Sequence, residues 1–246
     1  MPSLFDPNLK LQWAKEHLDA LDRELALLKQ SNTQRLSTED DLENGWYIVR
    51  VDFPSNPRQF TVALISGDFI SCLRSSLDHL AWQLALLTTD TPSRDICFPI
   101  CEKNSLDTQL RIVKSTYGIP DAAVSIMKSL QPYNSGDAYK STHLWRLNKL
   151  WNVDKHRHIM PHEVVTDWLF QCDAAIDVMT ESFEDGGVMK FPLAFKDKVK
   201  LNPDVGTDVV FGGRKEGFTM SFGDFVAIYE FVANSVMPAF ASFFPQ

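Results

Sequence analysis

The sequence predicts an α+β protein, mainly a helical bundle with a small antiparallel β-sheet in its C-terminal half. Three observations lead there. Apolar residues recur at helical spacing over two long N-terminal stretches, the texture turns β-branched and aromatic between Val164 and Gly213, and helical spacing returns from Ser221. At 246 residues, 44% hydrophobic and 23% charged, the chain can bury a substantial core. The expectation is a single domain over 1–246. A helical bundle over 1–160 is completed by a C-terminal helix at 221–244, with a β-rich section at 164–213.

The first helix is expected from Asn8 to about Asn32, where Leu11, Ala14, Leu18, Leu21, Leu25 and Leu28 alternate in steps of three and four. An acidic, polar connection from Ser37 to Asn44 leads to one strand, Trp46–Phe53, stopped by Pro54 and Pro57. The second helix starts after Pro57 and runs to about Leu87. Phe69, Leu73, Leu77, Leu80, Leu84 and Leu87 form its narrow apolar stripe. Shorter helices follow at about Leu106–Tyr117 and Pro120–Leu130, with Pro120 at the first helical position and Asp121 in the first turn. Gln131–Gly136 reads as a loop. A further helix begins near Ser141 or Thr142, carries Leu144, Leu147, Leu150 and Trp151 inward, and ends before Pro161. Segments Trp168–Cys172, Ala175–Phe183, Val188–Leu193 and Val209–Phe211 form an antiparallel meander. Asp185-Gly186-Gly187 and Gly212-Gly213-Arg214 are read as its hairpin turns. The last helix, Ser221 to about Phe244, has Ser221 as its cap.

Several function classes lack their signatures. There is no phosphate-binding Gly-x₄-Gly-Lys-Ser/Thr loop, no Gly-x-Gly-x-x-Gly after a strand and no Gly-x-Ser-x-Gly elbow. No apolar run approaches the ~18–20 residues of a membrane span, and the first residues lack the basic and apolar regions of a signal peptide, so the cytoplasm is the expected location. The four cysteines (Cys72, Cys97, Cys101, Cys172) are scattered and read as reduced, mostly buried thiols.

Chemistry concentrates in Trp145–His158. Between Tyr139 and His162 stand Lys140, Arg146, Lys149, Lys155 and Arg157 against the single acid Asp154, with His143, His156, His158 and His162, on a chain whose net charge is −8. Such a positive island can hold an anion. Trp145, Asn148, Asn152, Asp154, Lys155, His156 and Arg157 are its candidate binding residues. Asp154-x-His156-x-His158 with His162 offers metal-ligand types, but in a continuing helix His156 and His158 diverge and Lys155 and Arg157 repel a cation. Anion binding is preferred, and no metal or cofactor is expected. A cationic helix C-terminus, favoured by the dipole alone, is the plainer account.

The second helix carries polar residues that its stripe does not explain. Arg74, Ser75, Asp78, His79 and Trp82 all lie off the leucines, with Arg74 and Asp78 at i and i+4, so that the carboxylate can hold the guanidinium. Trp82, on the polar side, needs cover from another element or a partner. The plainer account is a surface ion pair and a surface histidine.

Arg74-Ser-Ser-Leu-Asp-His79 resembles the Arg-x₄-His motif on a late helix of HEPN-domain proteins. That helical-bundle superfamily includes metal-independent ribonucleases of toxin and phage-defence systems. Gly67–Trp82, Leu130-Gln131-Pro132-Tyr133 and Leu150–Arg157 also resemble a group of uncharacterised bacterial proteins. The resemblance implies His79 as the proton-transfer residue and Arg74 as the group that stabilises charge on a scissile phosphate. It also implies RNA or another phosphate-bearing ligand as partner, and pairing of two chains, to which the first helix can contribute. Packing of that helix within its own chain is the preferred reading. The alternative function is a non-catalytic ligand-binding or protein-interaction module in which the same residues fix a buried network. Both readings place the polar side of the second helix against Asn148, Asn152 or Asp154.

Overall fold

The structure, a computed structural model, describes residues 1–31, 35–52, 55–157, 159, 161–165, 170–172, 179–181, 186–201, 207–213 and 218–244. At 162–165, 170–172, 179–181, 186, 207 and 213 only the backbone is described. The fold is α+β and mainly helical. The chain divides into two compact units, one of Met1–Leu21, Leu64–Ile159 and Gly223–Gln246, the other of Asp22–Ala63 and Met160–Phe222.

The helical unit takes the first part of α1 (Phe5–Ser31) and most of α2 (Arg58–Ala85). It also holds α3 (Leu106–Ser115), α4 (Asp121–Ser129), α5 (His143–Asp154), most of α6 (Phe222–Phe231) and the single turn α7 (Met237–Ala239). The expected seam of α1 is buried from Leu11 to Leu28, as the preferred intramolecular reading requires. On α2 the stripe Phe69, Leu73, Leu77, Leu80 and Leu84 is wholly inaccessible, each leucine contributing about 1.5–3 kcal/mol. Leu87 lies past the helix end and is half-buried. Ser105 and Thr142 cap α3 and α5 by accepting the amides of Thr108 and Trp145. Pro120 stands at the N-cap of α4, one position earlier than expected.

Two departures follow from proline and glycine. The loop expected at Gln131–Gly136 is a 3₁₀ segment, Pro132–Ser141, interrupted at Gly136 by a φ of 54°. The last helix is not continuous: α6 passes into a π-turn, Val232–Val236, before α7. Pro238 has no amide to give to the carbonyl four residues earlier, which is where a wider turn is accommodated.

By window-averaged composition, α2 and the segment Phe222–Phe243 are long and apolar enough to cross a membrane. This corrects the expectation that no apolar stretch reaches membrane length. Over half of the α2 window is buried within the protein, and Arg74 and Gln83 are buried on the same helix.

In the other unit, β1 (Arg35–Asp41), β2 (Trp46–Asp52), β6 (Gly186–Pro192) and β5 (Met179–Glu181) form an antiparallel sheet in the order β1-β2-β6-β5. Its face buries Tyr47, Val49, Val51, Met189 and Phe191, with Val49 opposite Met189. β3 (Pro161–Val165), β8 (Thr207–Gly213) and β9 (Phe218–Ser221) make a second sheet. β4 (Phe170–Cys172) and β7 (Val199–Leu201) pair separately. The connection expected from Ser37 to Asn44 is instead an edge strand as far as Asp41, within Arg35–Asp41. Its side chains are mostly exposed, so it lacks the alternation that marks a half-buried strand. Both glycine pairs stand at strand ends: Gly186 and Gly187 open β6 opposite Asp52 and Val51, ahead of the Glu181–Val188 pair of β5 and β6, and Gly212 and Gly213 close β8 opposite Thr219 and Phe218. Gly212 has φ 89°, and a Cβ there would meet the Phe218 carbonyl oxygen at 2.5 Å, so only glycine fits. Ser221 ends β9 and immediately precedes Phe222, the first residue of α6. Trp168, Ala175, Phe183, Asp185 and Arg214 of the expected meander lie outside the described residues.

Candidate functional site

Arg74 and Asp78 act together on one peptide unit. Arg74 Nη2 donates to the Phe98 carbonyl at 2.8 Å, and the Phe98 amide donates to Asp78 Oδ1 at 2.9 Å. Two side chains one helical turn apart thus do for Phe98 what a neighbouring strand would do. The end of this irregular apolar segment, Ile96–Cys101, is satisfied in the same way, while the Ile96 and Cys97 amides donate to the Ser93 and Ser115 carbonyls. Gln131 Nε2 donates to the Pro99 carbonyl, Arg111 donates to that of Ile100, and the Cys101 amide donates to Gln131 Oε1. Arg74 is only 5% exposed. Its Nη1 lies 3.0 Å from Asp78 Oδ1 as an ion pair, while Nη1 and Nε have no hydrogen-bond partner among the described residues. Its guanidinium carbon lies 5.2 Å from the Trp151 ring centre, a cation–π arrangement.

α2 and α5 therefore cross at Arg74 and Trp151. Gly67 makes the approach possible, since a Cβ there would lie 2.6 Å from Asp154 Oδ1. Lys155, just past the end of α5, places Nζ 3.2 Å from the Trp151 ring centre. The polar side of α2 thus meets Trp151 and Lys155; of the expected Asn148, Asn152 or Asp154, it is Asp154 that lies against α2, at Gly67. Burial raises the Asp78 carboxyl above its ordinary value, while Arg74, the Phe98 amide, His79 and Lys155 pull it down. Asp78 remains 32% exposed, so it is reachable from solvent.

The positive island does not survive as one patch. Arg146 is paired with Asp224, and His143 packs against Phe231 with ring centres 5.1 Å apart. Burial and the nearby Arg146 hold the His143 imidazole below its usual pKa. Trp145 is a core residue, edge-on to Tyr139, and its Nε1 donates to Glu102 at 2.9 Å. Lys155, His156 and Arg157 are exposed, on a turn in which the His156 and Arg157 amides donate to the Val153 carbonyl. Trp82 is 37% exposed and has no ring partner among the described residues.

Two cavities adjoin the singled-out residues. One of about 420 Å³ is lined by Asn148 and Asn152 of α5 together with Ile100, Glu102, Lys103, Ser105, Asp107, Thr108 and Arg111. The other, about 330 Å³, is lined by His79 with Asp6, Leu9, Lys10 and Trp13. Arg74 borders neither, so the two residues of the Arg-x₄-His motif have different surroundings. Phe98, Gln131 and Arg111 were missed from sequence. Their one visible signal is the apolar run Ile96–Cys101 between Asp95 and Glu102, which reads as a buried extended segment.

Among the described residues no group of three His, Cys, Asp or Glu is placed to hold a metal ion. The side chains of His158 and His162 lie outside them, as does that of Cys172. Cys72, Cys97 and Cys101 are free thiols, with Cys101 Sγ accepting from Arg111. Burial, reinforced by Asp78, pushes the Cys97 thiol up, away from the reactive thiolate. No protein-family model matches the chain, and no curated protein or solved structure matches it.

Proposed function

We propose that this is a HEPN-like, nucleic-acid-associated protein that receives a phosphate-bearing strand where α2 meets the end of α5. One observation carries the reading. At that crossing a solvent-reachable carboxyl of raised pKa, Asp78, is paired with Arg74 and is acted on by the charges of His79 and of Lys155 from beyond α5. Perturbed acids among cations occur where proton transfer and anion binding are carried out. The cations Lys155 and Arg157, on an exposed turn, supply sequence-independent attraction for phosphates. Arg74, held by Phe98, Asp78 and Trp151, is a positioning residue. His79 is the candidate for proton transfer in a metal-independent endoribonuclease of a toxin or defence system. RNA cleavage through its own 2′-hydroxyl needs a base near neutral pKa beside a cation.

The test is incubation of the purified protein with single-stranded RNA, with and without chelator. Cleavage is expected in both, and His79→Ala is expected to slow it by about 10²–10⁴-fold. Cleavage unaffected by His79→Ala would remove the assigned role. The enclosure of Arg74 favours a second reading, a non-catalytic binding module. In that case RNA is bound and released intact, with affinity falling steeply as salt rises.

A further inference from the structure

We infer that the cavity between the start of α3 and α5 holds one nucleobase of the bound strand, so that this face reads the base while the end of α5 holds the phosphates. The inference rests on the nucleic-acid reading above. Its basis is the chemistry of the wall. Lys103 and Arg111 are balanced by Glu102 and Asp107, so the cavity has no net charge to attract a bare anion. What it offers is hydrogen bonding. Asn148 and Asn152 stand one turn apart on α5, each carboxamide carrying both donors and an acceptor, and neither has a hydrogen-bond partner among the described residues. Thr108 and the cap residue Ser105 add hydroxyls, and Ile100 adds an apolar surface. A neutral, planar ligand with donors and acceptors along its edge matches that wall, and a nucleobase is such a ligand. The volume, about 420 Å³, is also within the ordinary span of small-molecule sites, about 300–1,000 Å³.

Position supports the same assignment. Asn148 and Asn152 are four apart, as are Trp151 and Lys155, and the two pairs are offset by three, so they lie on one face of α5 and its terminal turn. Trp151 and Lys155 belong to the crossing with α2, and the asparagines open into the cavity. A strand following this face would set a base against the asparagines and a phosphate near Lys155. Phosphate contacts fix register and base contacts specify, a division that one helix face here can supply.

The experiment measures binding of the four nucleoside monophosphates by calorimetry and of four single-stranded RNA homopolymers by fluorescence anisotropy. The proteins are the parent, Asn148→Ala/Asn152→Ala and Lys155→Ala. The replaced asparagines lack partners among the described residues, so the fold is expected to persist, which circular dichroism checks. The parent is expected to prefer one base by about tenfold or more among both ligand sets. The double variant should lose that preference, and Lys155→Ala should weaken all four homopolymers alike. Mononucleotide binding that the double variant loses, on a protein that holds no RNA, would keep the base site and remove the strand. RNA held equally well for all four sequences, or a preference unchanged in the double variant, would overturn the base site and leave the nucleic-acid reading standing. Binding of neither ligand would overturn both.

Discussion

Arg74 and Asp78 show how one ion pair can be structural and still shape a site. Isolated pairs at i and i+4 contribute little on a surface. Here both members also hold the Phe98 peptide, and the guanidinium is buried over Trp151. Arg74→Ala leaves the Phe98 carbonyl and the Asp78 carboxylate without their partner, at an expected cost of about 3 kcal/mol. Arg74→Lys keeps the charge but cannot fork to both acceptors, and should cost about 1.5–3 kcal/mol. Urea unfolding of the two variants checks this, and equal stability of Arg74→Ala and parent would dismiss the structural role. Asp78 adds a pH signature. Its carboxyl titrates above the ordinary value of 3.8 because it is buried. Between 3.8 and its raised value the folded state binds more protons than the unfolded chain, so this group's contribution declines as pH rises through that window and is flat above it. Asp78→Asn removes the titration. The stability of parent relative to Asp78→Asn should therefore fall as pH rises from 3.8, and a difference that rises instead would contradict the raised carboxyl.

At the level of elements, the crossing of α2 and α5 depends on a residue with no side chain. Gly67→Ala puts a methyl 2.6 Å from Asp154 Oδ1, and the carboxylate must move. Overpacking of this kind costs about 1–3 kcal/mol. The variant should melt lower than parent, and an unchanged melting temperature would mean that Asp154 swings away freely. Sequence pattern exposed the helices that meet here because each buries a periodic stripe, such as Leu73, Leu77, Leu80 and Leu84, and each short helix carries a cap or dipole signal. It did not expose what lies between them. Ile96–Cys101 has neither helical nor alternating period, and much of its backbone from Phe98 on is satisfied by side chains distant in sequence, so Gln131 and Arg111 gave no local sign of their role. The polar edge strand β1 was hidden for a related reason: it pairs with β2 through its backbone, and of its side chains only Leu36 packs against the sheet's core, with Glu39 reaching Arg50. The site was legible only in part. Asn148, Trp151, Asn152 and Lys155 were visible as chemistry, but their division between a crossing and a cavity depends on which side of α5 each neighbour occupies.

For the molecule as a whole, the open question of most consequence is whether two copies pair, as the HEPN resemblance implies. The heptad-like seam of α1 is not the surface for it, because Leu11, Ala14, Leu18, Leu21, Leu25 and Leu28 are already buried within the chain. The same helix carries a second apolar row at spacings of four, Phe5, Leu9 and Trp13, all exposed, with Trp13 edge-on to His17. Leu9 and Trp13 also line the cavity that contains His79. A second copy seated on this row would therefore cover apolar surface and close the cavity over the proposed proton-transfer residue. Clustered apolar side chains of this size are costly to leave in water and mark association surfaces more often than isolated ones do. Light scattering after size exclusion is expected to give twice the chain mass for the parent and the single-chain mass for Leu9→Glu/Trp13→Glu. Both substitutions fall on exposed positions, so helix content by circular dichroism should be unchanged. If pairing also completes the site, RNA cleavage by the double variant should rise with protein concentration more steeply than linearly, whereas cleavage by the parent stays proportional to it. A parent that elutes as a single chain while cleaving RNA at full rate would show that this row has no part in the activity.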